Sequence, residues 1–232
     1  MGSERLAGKV LKEVLGKPLL FYLIERLRRV KYCDGIVIAT SQNPLDDAIA
    51  AFCDQHGIYC VRASEHDVLS RYYSVCSLFD PEVLVRITAD CPLIDPELID
   101  KGLCCFAHNF STLDYLSNTL KRTFARGMDF EIMRKSALEK AYFEATFSYD
   151  KEHVTAYIAR QPELFRLGSY TQAKDESHLR LTVDTPEDFQ LIQTLLEALY
   201  PKNPEYSLAE IVQILHKHPE WVAMNAHIEQ KS

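Results

Sequence analysis

The sequence predicts an α/β fold in which a mainly parallel sheet is covered by helices, and three observations carry that prediction. Helical and strand periodicities alternate along most of the 232 residues, the pattern of a sheet whose parallel strands are joined by crossover helices. Two β-branched runs stop on an aspartate, VLVRITADCPLID over 83–95 and HLRLTVDTPEDF over 178–189, with a proline two residues after Asp90 and after Asp184. The composition, 47% hydrophobic and 25% charged, is that of an ordinary globular protein. The length is long for one domain and short for two, and no stretch resembles a linker. The expectation is one domain over 1–232, with an arm at about 111–170 and accessory helices at about 190–232.

Each element follows from spacing. Leu20, Leu23, Ile24 and Leu27 predict an amphipathic helix over 18–30, and Gly35 to Thr40 a buried strand. A helix over 44–56, a strand over 58–61 and a helix carrying Val68, Leu69, Tyr72, Val75, Cys76 and Phe79 on one face come next. After the strand ending at Asp90, a helix runs to about His108 and a strand covers 114–117. The stretch TLKRTFARGMDFEI has turn residues and no helical period, as expected of a lid or arm. Helices over 135–146 and 151–161, a strand near 165–170, the strand ending at Asp184 and a helix from Pro186 complete the alternation. Ser207 and Glu210 have capping-box spacing before Ile211, Ile214 and Leu215, and Pro219 ends that run.

Composition narrows the function. A net charge of −7 argues against a broad nucleic-acid-binding face and leaves small molecules as the expected partners. No segment approaches the roughly 18 apolar residues of a membrane span. The start, MGSERLAGKV, lacks the apolar core of a signal peptide, so the expected location is cytoplasmic. The seven cysteines lie singly or adjacent, without zinc-ligand or disulfide-framework spacing, and read as reduced, mostly buried residues.

A strand that ends on a carboxylate delivers it to the carboxyl edge of a parallel sheet, where open α/β folds bind ligands. Asp90 and Asp184 can thereby aim at one cation. Mg²⁺ takes one or two protein carboxylates and leaves its other positions to water and phosphate oxygens, so the pair suggests phosphate chemistry. A carboxylate in this place also caps the following turn or helix. Near the start, Gly2 and Ser3 precede Arg5, Gly8 and Lys9. Glycines allow close backbone approach to a phosphate, and the two cations supply charge. The plainer reading is a flexible start with solvated charges, since the cluster is no P-loop.

Six segments, GSERLAGKVL, SEHDVLSRYY, VRITADCPLID, TFARGMDFEI, KEHVTAYI and LRLTVDTPEDF, occur in this order from Gly2 to Phe189. Together they resemble the cytidylyltransferase family of the spore-coat-polysaccharide type, relatives of the CMP-KDO and CMP-sialic acid synthetases. The resemblance implies a three-layer, doubly wound nucleotidyltransferase fold of the nucleotide-diphospho-sugar transferase, Rossmann-like kind. It also implies transfer of CMP from CTP to a sugar or sugar acid with Mg²⁺ and release of pyrophosphate. By position, Gly2, Ser3, Arg5, Lys9, Arg62, Ser64 and Arg86 would hold CTP, with Arg5 and Lys9 on its phosphates and in the catalytic set with Asp90 and Asp184. The two aspartates take the metal positions, and a homodimer is implied. Transfer of this kind needs an in-line nucleophile and neutralised oxygens rather than a covalent enzyme intermediate.

In the same family the middle segment borders the acceptor, which points to Asn118, Asp129, Glu131 and His153. Each has a bland counterpart. Arg62, Ser64 and Arg71 read equally as surface polar groups, and Asp129 with Glu131 as one solvated acidic strand face. Glu152 and His153 suit the start of a helix, and Asn118 suits a turn.

The chain departs from the family in two places. Relatives begin with an apolar strand ending in alanine and arginine before the Gly-Ser pair, and here no such strand is found. The expectation is a protein whose true start lies upstream, or a sheet with a gap. Ala7 stands where proline is usual. The gap keeps open a non-catalytic binding or assembly protein on the same fold. A nucleotide-sugar-dependent glycosyltransferase is a further alternative, although Asp46 and Asp47 are the only close aspartate pair and suit a helix start.

Overall fold

The computed structural model describes residues 6–229; the expected site residues Gly2, Ser3 and Arg5 lie outside the described residues. A 3-10 turn at Lys9–Leu11 leads into a small hairpin, β1 (Glu13–Val14) against β2 (Lys17–Pro18), and then α1 (Leu19–Leu27). β3 (Val37–Ser41), α2 (Asp47–His56) and β4 (Tyr59–Ala63) form a parallel β-α-β unit. α3 (Val68–Phe79), β5 (Val83–Arg86), α4 (Pro96–His108), β6 (Tyr115–Ser117), β7 (Glu131–Arg134) and α5 (Lys135–Glu144) follow. The remainder is α6 (Ser148–Glu152), α7 (Ala156–Ala159), β8 (Leu167–Ser169), α8 (Pro186–Leu199), α9 (Leu208–Lys217) and α10 (Pro219–Val222).

The α/β class and its helical layers stand. The larger sheet has the order β5-β7-β6-β8, in which β7 runs antiparallel to both neighbours and β6 pairs with β8 in parallel. Alternation along its strands separates the two faces. Leu116 and Ile132 point into a cluster with Phe106, Leu181, Val183, Leu191 and Leu195, beneath α4 and α8. Leu84, Tyr115 and Met133 point the other way, into a cluster with Leu69, Cys76, Leu138 and Ala141 from α3 and α5. Each such side chain, fully buried, contributes about 1.5–3 kcal/mol of apolar transfer. A third cluster joins Leu20, Leu23 and Ile24 of α1 to Ile49, Phe52, Ile94 and Ile99. Gly102 lets α4 lie close on the sheet, because a Cβ there would stand 2.7 Å from the Phe130 ring.

Among the described residues no ladder joins the β3-β4 pair to the larger sheet. Three expectations need correction. Neither aspartate ends a strand: β5 stops at Arg86, four residues before Asp90, and the run 179–184 has only an isolated bridge, Arg126 to Arg180. Its backbone bonds go instead to two different partners, with Leu181 N–H donating to Arg126 at 2.7 Å and Val183 N–H to Asp90 at 2.9 Å. The helix expected over 151–161 is broken into α6 and α7, because Val154 has φ +54°, a left-handed conformation costly for a β-branched residue. Glu152 and His153 therefore end a helix rather than begin one.

Candidate active site

The two aspartates meet on one cation, and it is a lysine. The Lys9 ammonium lies 2.9 Å from Asp90 Oδ2 and 2.7 Å from Asp184 Oδ1. Burial alone would lower the Lys9 pKa; the two carboxylates outweigh it and hold the pKa above its usual 10.5. Lys9 stands at the start of a 3-10 turn whose preceding residue, Gly8, has φ +66°, a conformation glycine adopts without penalty. Asp90 lies in the turn after β5, and Asp184 lies directly before Thr185, the N-cap of α8. The capping is done by Thr185 and Asp188, which form a capping box, so Asp184 is spared that task.

Asp184 is held on its other oxygen by Arg180, whose Nη2 donates to Oδ2 at 2.8 Å. Arg180 also forks onto Asp188, with 2.8 Å from Nε and 2.9 Å from Nη2. Neither Arg180 nor Asp188 was singled out by sequence reasoning. The signal was available: Leu179, Leu181 and Val183 alternate as core residues, which places Arg180 on the opposite side with Asp184.

A second group of charges is close by. Arg122 grips Asp129 through two bonds of 2.6 and 3.1 Å. The pKa of Arg126 is lowered, first by burial and then by the neighbouring Arg122, with Arg180 adding to the effect and Asp129 opposing it. Cys91, buried beside Asp90, has its thiol pushed well up by burial and then by the charges of Asp90 and Asp129, which makes it an inert packing residue. Asp129 is thus electrostatically within the Lys9–Asp90–Asp184 neighbourhood. Gly127 brings this loop against the 179–184 run: its φ is +92°, and a Cβ would stand 2.4 Å from the Leu181 carbonyl.

The other expected residues are engaged elsewhere. Arg62 donates to the carbonyls of Ser41 at 2.9 Å and Asn43 at 3.0 Å and pairs with Asp47 at 2.8 Å, tying the end of β3 to the start of α2. Ser64 accepts from Asp67 N–H at 3.1 Å. Arg86 pairs with Glu131 on the sheet face under α3 and α5, where Glu131 also accepts from Tyr115 at 2.6 Å and from Thr155. Burial raises the Glu131 pKa on its own; Arg86 and the hydroxyls outweigh it and hold it below the usual 4.5. Asp129 and Glu131 therefore do not share a solvated acidic face: one is chelated by Arg122, the other is buried in an ion pair. Asn118, 0% exposed, accepts from Phe130 N–H at 3.0 Å and donates to the Met128 carbonyl at 2.6 Å, closing the base of the loop. His153 is exposed, edge-on to Tyr149 with ring centres 4.3 Å apart. Asp46, buried, accepts from Thr40 at 2.8 Å and from the Ser41 hydroxyl at 2.6 Å, beyond its part at a helix start.

The donor set fits a hard cation. Two carboxylate oxygens converge on one positive group, and among the described residues there is no cluster of three His, Cys, Asp or Glu that could hold a metal ion. Asp90 and Asp184 are the residues that would hold it. No helix among the described residues is long and apolar enough to cross a membrane.

Comparison with known proteins shows the family. The sequence model of the cytidylyltransferase family matches residues 1–221. The spore coat polysaccharide biosynthesis protein SpsF of Bacillus subtilis is 34% identical, over 95% of this chain and 92% of its own. The 3-deoxy-manno-octulosonate cytidylyltransferase of Geobacter sulfurreducens is 27% identical over 75% of this chain and 64% of its own. A solved cytidylyltransferase from Leptospira borgpetersenii superposes with a TM-score of 0.92 at 30% identity, covering 100% of this chain and 95% of that one. The chain belongs to the cytidylyltransferase family and is a CTP-dependent nucleotidyltransferase of α/β fold.

Proposed function

We propose that the protein transfers the cytidylyl group of CTP to a hydroxyl of a sugar or sugar acid destined for a surface polysaccharide or glycan, releasing pyrophosphate. The observation that carries this reading is the convergence of Lys9, Asp90 and Asp184. Lys9, on a glycine-preceded turn, is suited to a CTP phosphate, and Arg5 joins it in this reading. Asp90 and Asp184 would hold Mg²⁺, which would supply positive charge to offset the phosphate charge that builds up as the bond to pyrophosphate breaks. Lys9 would then exchange its carboxylate partners for phosphate oxygens, whose negative charge takes the place of the carboxylates in favouring the ammonium.

Arg122, Arg126 and Asp129 form the acceptor side. Arg126, set among other cations, suits an anionic group on the acceptor, and Asp129 suits its hydroxyls. The protein acts in the cytoplasm, as a dimer. The test is pyrophosphate release from CTP and Mg²⁺ across a panel of nonulosonic acids and neutral sugars. Asp90→Asn and Asp184→Asn should each lower turnover by about 10²-fold or more with the fold retained. Unchanged turnover in either variant would remove that residue from the site, and no release with any acceptor would sink the reading itself.

A further inference from the structure

A buried line of contacts runs from Asp184 to the C-terminal segment. Asn225 follows α10 in a run of turns and is 2% exposed. Its amide nitrogen uses both hydrogens, donating to the Arg180 carbonyl at 3.0 Å and to Asp188 Oδ1 at 2.8 Å. Asp188 is fully buried and is held by further donors, the Arg180 fork and the backbone N–H groups of Asp184 at 2.9 Å and Thr185 at 3.1 Å. Arg180 in turn donates to Asp184 Oδ2 at 2.8 Å, and Asp184 Oδ1 meets Lys9.

We propose that Asn225 is a positioning residue for nucleotidyl transfer, which through Asp188 and Arg180 fixes the Asp184 carboxylate. This rests on the reading of Asp184 as part of the CTP site. A guanidinium gripped through Nε and Nη2 by one carboxylate has its plane set, and the direction of the other Nη2 N–H is set with it. Here that direction is toward Asp184. Asp188 Oδ1 accepts from Arg180 Nε and from Asn225, and losing one donor frees the carboxylate to turn and the Arg180 plane to follow. Asn225 supplies this without adding charge beside a buried cation already shared between two carboxylates. The segment after α10 is on this view a working part of the site.

The experiment compares full-length Asn225→Leu, nearly isosteric and unable to donate, with Trp221→Leu. Trp221 packs on the apolar cluster in the same segment and takes no part in the line of contacts. CTP affinity in the presence of Mg²⁺ is read by calorimetry, together with kcat, KM and melting temperature. Asn225→Leu should weaken CTP binding and lower kcat/KM by about 10- to 100-fold, the size usual for residues that orient a ligand's holder. Trp221→Leu should lower the melting temperature comparably and leave CTP affinity within about twofold, well short of that effect. If Asn225→Leu binds CTP as the unaltered protein does, or if both variants lose affinity in step with stability, the proposal is overturned. Should Asn225→Leu fail to fold, Asn225→Ala, smaller and likewise unable to donate, is measured in its place under the same criteria. Asp184→Asn is run alongside: if it binds CTP and turns over normally, the reading of Asp184 fails, whereas its loss beside an unaffected Asn225→Leu rejects the positioning role alone.

Discussion

At the scale of single residues, the site depends on side chains that are each held by more than one partner. Lys9→Met should leave Asp90 and Asp184 without their shared cation and lower turnover by about 10²-fold or more, read as pyrophosphate release. Gly127→Ala adds a Cβ that meets the Leu181 carbonyl at 2.4 Å in a left-handed backbone. It should cost roughly 1–3 kcal/mol or more, measured by denaturant unfolding. Glu131 gives a pH signature. Its folded pKa is below 4.5, so the stability it contributes is present above that value and is lost as pH falls through the depressed folded pKa. Glu131→Gln should flatten this acid limb of the melting-temperature profile. At neutral pH it should cost about 3–5 kcal/mol, because Arg86 is left buried with its charge unpaired. A variant with the acid limb unchanged would show that Glu131 does not drive it.

At the scale of elements, helix positions were legible because periodicity and caps are local. α1, α3 and α4 fall where apolar spacing placed them, and the Ser207–Glu210 capping box forms with 2.8 Å from Ser207 N–H to the Glu210 carboxylate. The run 179–184 looked like a strand, and its side chains do alternate as in one. Its backbone partners were not legible, since they come from Arg126 and Asp90, residues with no sequence relation to it. The break at Val154 was hidden for the same reason: a left-handed valine is tolerated only where surrounding packing, here total burial, over-determines it. α8 offers a test of the local part. Thr185→Ala removes the cap that accepts from Asp188 N–H and should cost about 0.5–2 kcal/mol by thermal unfolding.

At the scale of the whole molecule, the four-stranded sheet is covered on both faces, by α4 and α8 and by α3 and α5. β7 lies inside that sheet with partners on both edges, so Ile132 and Met133, each 0% exposed, should be among the last amides to exchange with deuterium. The β1-β2 hairpin, with two residues in each strand, should exchange far sooner. Comparable exchange in the two would show that the sheet does not open last.

What the sequence by itself determined are the features that depend on neighbours along the chain: the alternation of helices and strands, the caps, and a glycine-lysine turn. The family resemblance added what those residues would bind. Only the tertiary structure decided which groups meet. Lys9 reaches Asp90 across 81 residues and Asp184 across 175, and Asn225 reaches Arg180 across 45. Periodicity carries no information over such separations. These contacts exist because burial of the apolar faces brings distant segments together, and the charged groups caught there are stable only when they find one another.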